Sequence, residues 1–337
     1  MCAVPKTPKP ATTPTGGAPK KKGRLFRFTM AALVLLGIAG YVTEHITEGT
    51  SLRAQCTVTA DGRTLKLDTQ QAANASTIAA VATSRSLPER AVTIALATSL
   101  QESRLRNLNH GDRDSMGLFQ QRPSQGWGTA AQIMDPVHAS NEFFDSLVKI
   151  RGYSRLPLTV AAQKVQKSGY PQAYAKHEAD AALLASALTG RVSAALNCTT
   201  ATGGAKLTGG DPAKVRTRLS REFGSKVTAS TAKMSASSQT SGTSDGKGSS
   251  GGSGSGATRT VAVSSAVPSG GDARGDEKQR GWELAQWAVA HAHELKVEKV
   301  GFRDREWRAS DSGKGWQKTG TAAKAAQAQD VTITVAQ

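Results

Sequence analysis

Apolar residues fall into three regimes along this chain. From Phe28 to Thr43 they run unbroken by charge, as "FTMAALVLLGIAGYVT". Between residues 56 and 199 they recur mostly at intervals of three and four, the signature of helices with one buried face. Beyond residue 272 a helical stretch gives way to short β-type runs, ending in "DVTITV".

The middle regime predicts four main helices. Ser86-Leu87-Pro88-Glu89 has the form of a capping box with Pro near the helix start, followed by Val92, Ala95, Leu96 and Leu100 on one face. Asp135-Pro136 caps a second helix whose Phe143, Phe144, Leu147 and Ile150 face the core, and Thr159 opens a third. A fourth runs from Pro171 through Tyr174, Leu183 and Leu184 to Gly190, a C-terminal stop. Asp68 with Gln71 opens an earlier helix leading through Ile78 and Val81, and "CTVTADGRTLKL" reads as a hairpin around Asp61-Gly62. Residues 56–199 are thus expected to form one mainly helical unit.

Composition then changes. Residues 200–271 turn to Gly, Ser, Thr, Ala and Lys, ending in "SSGGSGSGATR", and read as a flexible linker with at most a transient helix in "PAKVRTRLSREFGSKV". Residues 272–337 predict a small α+β domain: a helix over Gly281–Leu295, strands at Val297–Phe302, near Glu306–Trp307 and at 330–335, and a core of Trp282, Trp287, Trp307 and Trp316. A few of these rings are candidates for an aromatic surface facing glycan or peptide. His291 and His293 lie two apart on the helix and point about 160° away from each other, which suits packing or solvent rather than shared ligation. No metal site is assembled from them.

Charge gives the unbroken run its meaning. The net charge is +17, and residues 1–27 supply +7 of it with no acid. A basic, disordered tail with Lys20, Lys21, Lys22, Arg24 and Arg27 directly before an apolar segment favours membrane orientation over nucleic-acid binding. Positive-inside logic makes 28–45 a transmembrane anchor, with residues 1–27 cytoplasmic and the bulk outside. A cleaved signal with Gly37-Ile38-Ala39 as its small-x-small site is the alternative. Either way residues after about 45 are exported, so a disulfide between Cys56 and Cys198 is expected, with Cys2 left in the tail.

One residue then asks for a chemical reading. Glu102 follows the helix Val92–Leu100 directly and precedes the polar loop "SRLRNLNHGDRD". The macrodipole disfavours an acid at a helix C-terminus. Cleaving a glycosidic bond, by contrast, needs a carboxyl still protonated near neutral pH, and desolvation at the edge of a groove provides one.

The pair "ES" at Glu102-Ser103, the "RLRN" after it and "SMGLFQ" about a dozen residues on resemble the lytic transglycosylases and the wider lysozyme superfamily, in particular the Slt-like catalytic domain. The resemblance covers roughly residues 75–190. It implies a mainly α lysozyme-like domain in which Glu102 is the general acid and then the base. Ser103 would support the reacting sugar, and Gly117, Leu118 and Gln120 would wall the groove. The family's late groove tyrosine corresponds to Tyr174 or Tyr170, and its Tyr-Asn-Ala-Gly type element has Val165-Gln166-Lys167-Ser168 as counterpart. The implied partner is the glycan strand of peptidoglycan, with no cofactor. With one acid, the sugar's own 6-hydroxyl attacks and the product is 1,6-anhydro; with a second carboxylate, for which Asp112 and Asp114 are the candidates, water attacks instead.

Residues 281–335 resemble the peptidase-like C-terminal domain of secreted cell-wall proteins, a class that includes zinc carboxypeptidases. Thr332 and Thr334 occupy the class's His-x-His positions, which implies a degenerate, non-catalytic unit that binds cell wall. Two functional readings remain at this stage: a peptidoglycan-cleaving muramidase or lytic transglycosylase, and a non-catalytic cell-wall binding or scaffold protein on the same fold.

Overall fold

The computed structural model describes residues 54–167, 172–200, 207–224, 227, 229–231, 259–266, 277–320 and 329–337. The apolar run at 28–43, the basic tail, Cys2 and Tyr170 lie outside them. Among the described residues no helix is long and apolar enough to cross a membrane.

A hairpin opens the fold. Strands β1 (Gln55–Ala60) and β2 (Arg63–Asp68) pair in antiparallel register across Asp61 and Gly62, both at positive φ, 51° and 74°. That is the geometry a two-residue hairpin turn demands. Helix α1 (Thr69–Ser84) follows at once, because Asp68 and Gln71 close a reciprocal capping box. Helix α2 (Glu89–Ser103) starts differently from the sequence expectation: Pro88 is its N-cap, no side chain caps it, and Ser86 sits at φ 56°. Proline's fixed φ starts this helix, not a serine hydroxyl.

A polar loop leads to α3 (Ala130–Ile133) and α4 (Pro136–Val148), the latter capped by the Asp135 carboxylate accepting from the Val137 amide. Phe143, Phe144 and Leu147 are fully buried on α4. Helix α5 (Leu158–Gln166) begins after Pro157, and α6 (Glu178–Leu188) ends near Gly190 at φ 73°. A side chain at Gly190 would collide with the Gln279 carbonyl at 1.9 Å, so this glycine lets a later helix approach. Strand β3 (Leu196–Cys198) returns beside β1, giving the order β2-β1-β3, and the paired Cys56 and Cys198 form the expected disulfide.

The remaining chain is not a separate domain on a tether. Part of the span read as linker is regular structure: α7 (Pro212–Phe223), β4 (Ala229–Thr231) and β5 (Thr260–Ser264). After it come α8 (Glu277–Ala290), α9 (Ala292–Leu295), β6 (Val297–Phe302), β7 (Arg305–Arg308), β8 (Gln317–Lys318) and β9 (Asp330–Val335). The strands form one antiparallel sheet in the order β4-β5-β9-β6-β7-β8, and Arg53–Gln337 form one compact unit.

The two parts are joined by hydrogen bonds between buried polar groups. Gln286 of α8 accepts from the Ala195 and Leu196 amides, both at 2.8 Å, and donates to the Ala187 and Val192 carbonyls at 2.7 and 3.1 Å. Trp316 donates to the Leu196 carbonyl and Trp307 to Asn197, each at 2.9 Å. Composition hides this, because a Gly/Ser-rich average masks the apolar stripe Val215, Leu219 and Phe223 of α7, all buried. The four core tryptophans are 0–7% exposed, so they offer no aromatic platform to a ligand.

Candidate functional site

The site is built around the end of α2. Its last turn carries Gln101, Glu102 and Ser103, and the chain then takes two consecutive left-handed residues, Arg104 at φ 55° and Leu105 at φ 61°. Neither is glycine, so each costs about 1–2 kcal/mol of backbone strain. Side chains of α1 hold this turn: Gln71 donates to the Arg104 carbonyl and Asn74 to the Leu105 carbonyl, both at 2.8 Å. Arg106 reaches back to Asp68 at 2.8 Å. The capping residues of α1 therefore also fix the chain immediately after Glu102.

On the other flank, the loop 107–121 folds into a small bridged structure, with Leu108 paired to Gly117 and Met116 to Gln121. Gly117 has φ 78°, and a Cβ there would lie 2.7 Å from the Ile133 carbonyl. Ser103 is buried and donates to the Leu118 carbonyl at 2.7 Å. Ser99 donates to the same oxygen at 3.1 Å. Leu118 itself is fully buried. Ser103 and Leu118 thus tie the loop to the helix; Leu118 is buried behind the site instead of walling a groove, whereas Ser103 also lines the cavity beside Glu102. Gln120, at φ 48°, directs its amide at the His110 and Gly117 carbonyls, both at 3.3 Å, so it shapes the loop.

The third flank meets Glu102 directly. Tyr174, 1% exposed, donates its hydroxyl to Glu102 Oε1 at 2.8 Å. Gln166, at the end of α5, hydrogen-bonds the same carboxyl and also donates to the Phe119 carbonyl at 2.8 Å. Burial pushes the Glu102 carboxyl above the ordinary range, and the bonds from Tyr174 and Gln166 only partly oppose it. Beside it His177, bonded to Gln101 at 3.1 Å, is held below the ordinary imidazole range by burial and by the nearby Lys176 and Arg104.

A cavity of about 440 Å³ opens at this point, lined by Gln71, Gln101, Glu102, Ser103, Arg104, Arg106 and Leu108. Glu102 is the one carboxylate among the described residues that line it. Asp114 is engaged elsewhere: it accepts from Arg122 at 2.7 Å and from the Ser124 amide at 2.8 Å, which hold it well below the usual carboxylate range. Its role is to pin the loop. Asp112 stands exposed, with its carbonyl accepting from the Ser115 amide.

The structure thus gathers Glu102, Ser103 and Tyr174 and adds Gln166, Gln71 and Asn74. The sequence marked Gln71 only as part of a helix cap and gave no signal for Asn74, since an Asn on an Ala-rich helix looks like an ordinary surface residue. The signal for Gln166 was its place in the family's third element. Comparison with known families finds one described as "VldE, C-terminal domain", whose model matches residues 220–329, less than half of the chain. The matched span begins inside α7 and covers most of the sheet, and does not include the Glu102 cavity. No curated protein matches the chain.

Proposed function

We propose that this protein cleaves the glycan strand of peptidoglycan, with Glu102 as the acid. The observation that carries the reading is a half-buried carboxyl with an elevated pKa, held by Tyr174 and Gln166 at the mouth of a polar cavity. Such a group keeps its proton where an exposed glutamate has lost it, and delivers it to a leaving oxygen. The charge left behind is then stabilised by the tyrosine hydroxyl and the amide, so the same carboxylate serves as base in the second half of the reaction.

Two further assignments belong to the proposal. With no second carboxylate among the described lining residues, Glu102 deprotonates the sugar's own 6-hydroxyl, and the product is 1,6-anhydro. Arg104 and Arg106 line the same cavity and supply positive charge suited to the carboxylates of peptide stems. The disulfide fits action outside the cytoplasm, on the wall, by a chain anchored or exported through its N-terminal apolar segment.

The test is digestion of purified cell wall by the exported portion of the chain, with mass analysis of the released muropeptides. Anhydro-ended fragments are expected, each lighter by one water than its hydrolysed counterpart. Glu102→Gln should lower the rate by about 10²–10⁴. Wall binding without any released fragment in the parent protein would instead support the scaffold reading.

A further inference from the structure

A second hollow lies in the C-terminal sheet region, away from every residue assigned above. It measures about 370 Å³ and is lined by Lys278, Trp282, Arg303, Asp304, Arg305 and Lys318, with Ser193 and Ala194 at its edge. Lys278 comes from the first turn of α8, Arg303 lies in the two-residue β6–β7 turn and Arg305 directly follows it, and Lys318 pairs in register opposite Arg305. Three separate elements thus deliver four cations to one depression against a single acid, Asp304.

None of the four forms an ion pair with a carboxylate among the described residues. Nearby arginines behave otherwise: Arg308 pairs with Glu306, Arg280 with Glu283 and Arg191 with Glu89. One acid does not balance four cations, so the hollow carries a net positive charge that favours an anion. Arg303 carries a second oddity. It occupies φ 52° at a hairpin position that glycine or asparagine fills more comfortably, and its guanidinium lies 5.7 Å from the centre of the Phe302 ring. That stacking leaves the edge of the guanidinium, which carries its donors, available to a planar or tetrahedral anion.

We infer that this hollow binds the phosphate groups of a polyanionic chain. Phosphate is favoured over a lone carboxylate because a monoester carries about −1.5 to −2 and offers three acceptor oxygens to two guanidiniums and two ammoniums. A chain is favoured over a single ion because the hollow continues. A neighbouring cavity of about 330 Å³ shares Ser193 and Lys278 and adds Arg191 and Gln279. A single-stranded nucleic acid fits less well, since base stacking needs an open aromatic face and Trp282 is only 3% exposed. The inference does not rest on the reading of Glu102.

Calorimetric titration of the full-length protein with long-chain polyphosphate, at low and at near-physiological salt, tests it. Saturable binding is expected, weakened at least about tenfold by the double variant R303Q/R305Q and left intact by K149Q/K164Q, which removes equal charge from exposed positions elsewhere. Near-UV circular dichroism of the tryptophans checks that the variant keeps its core. Equal weakening in both variants, equal binding of poly-glutamate of matched length, preference for a single-stranded oligonucleotide, or no binding would each overturn the assignment.

Discussion

Glu102 is placed against its own ionisation, and that has consequences at the scale of one residue. Its pKa in the fold lies above the value in the unfolded chain because burial disfavours the charge. A group shifted in this direction contributes its stability below the unfolded value, and the contribution is lost as pH rises through the folded one. Glu102→Gln should therefore melt higher than the parent at neutral pH, with the gain vanishing below about pH 4, where both states are protonated. Thermal melts across that range check the sign. Tyr174 acts in the opposite direction, since its hydroxyl stabilises the carboxylate form. Tyr174→Phe should raise the Glu102 pKa further; under the proposed glycan cleavage, the alkaline limb of the kcat profile then moves to higher pH, because a general acid works only while protonated.

At the scale of elements, one carboxylate clasps three helices. Glu222 of α7 is fully buried and accepts from Thr77 of α1 at 3.0 Å, from Trp287 of α8 at 2.7 Å, and from Arg218 one turn before it on α7. The His291 ring stands 3.5 Å from Glu222 and 3.6 Å from Glu294, the latter also paired with Arg218 at 2.8 Å. Burial opposes charge on both Glu222 and His291, yet their mutual attraction wins: the carboxylate is held below its ordinary range and the imidazole above its own. The Glu222 contribution appears above the ordinary carboxylate value and fades as pH falls. The His291 contribution is complete below the ordinary imidazole value and fades as pH climbs past the raised one. Melting temperature should therefore peak between these limits, and Glu222→Ala should cost about 3–5 kcal/mol by stranding its buried partners, measured by denaturant titration.

This clasp also marks where the sequence stopped being readable. The hairpin, the α1 capping box, the α4 cap and the terminal strands were legible because each is specified by residues adjacent in the chain. Glu102 stood out because an acid at a helix C-terminus opposes the local dipole and because the Glu102-Ser103 pair carries the resemblance to the lysozyme superfamily. Thr77, Glu222, Gln286 and Trp287 were not, since each finds its partner through packing between distant segments, and no local pattern records that α7 belongs to the core.

At the scale of the whole molecule, the Cys56–Cys198 bond closes a loop spanning 142 positions of sequence. In the chain-entropy account it stabilises the fold by about 4–5 kcal/mol, so reduction should lower the melting temperature of the parent and leave a Cys56→Ser/Cys198→Ser variant unchanged. The Gln286 bonds described above carry a different consequence. Residues 54–200 look self-sufficient, yet the Ala195 and Leu196 amides and the Val192 carbonyl are all bonded by that one amide from α8. A gene cut after residue 200 should yield an insoluble or molten product, whereas supplying residues 207–337 as a second polypeptide should rescue it. The C-terminal portion would then be behaving as a built-in chaperone that never leaves.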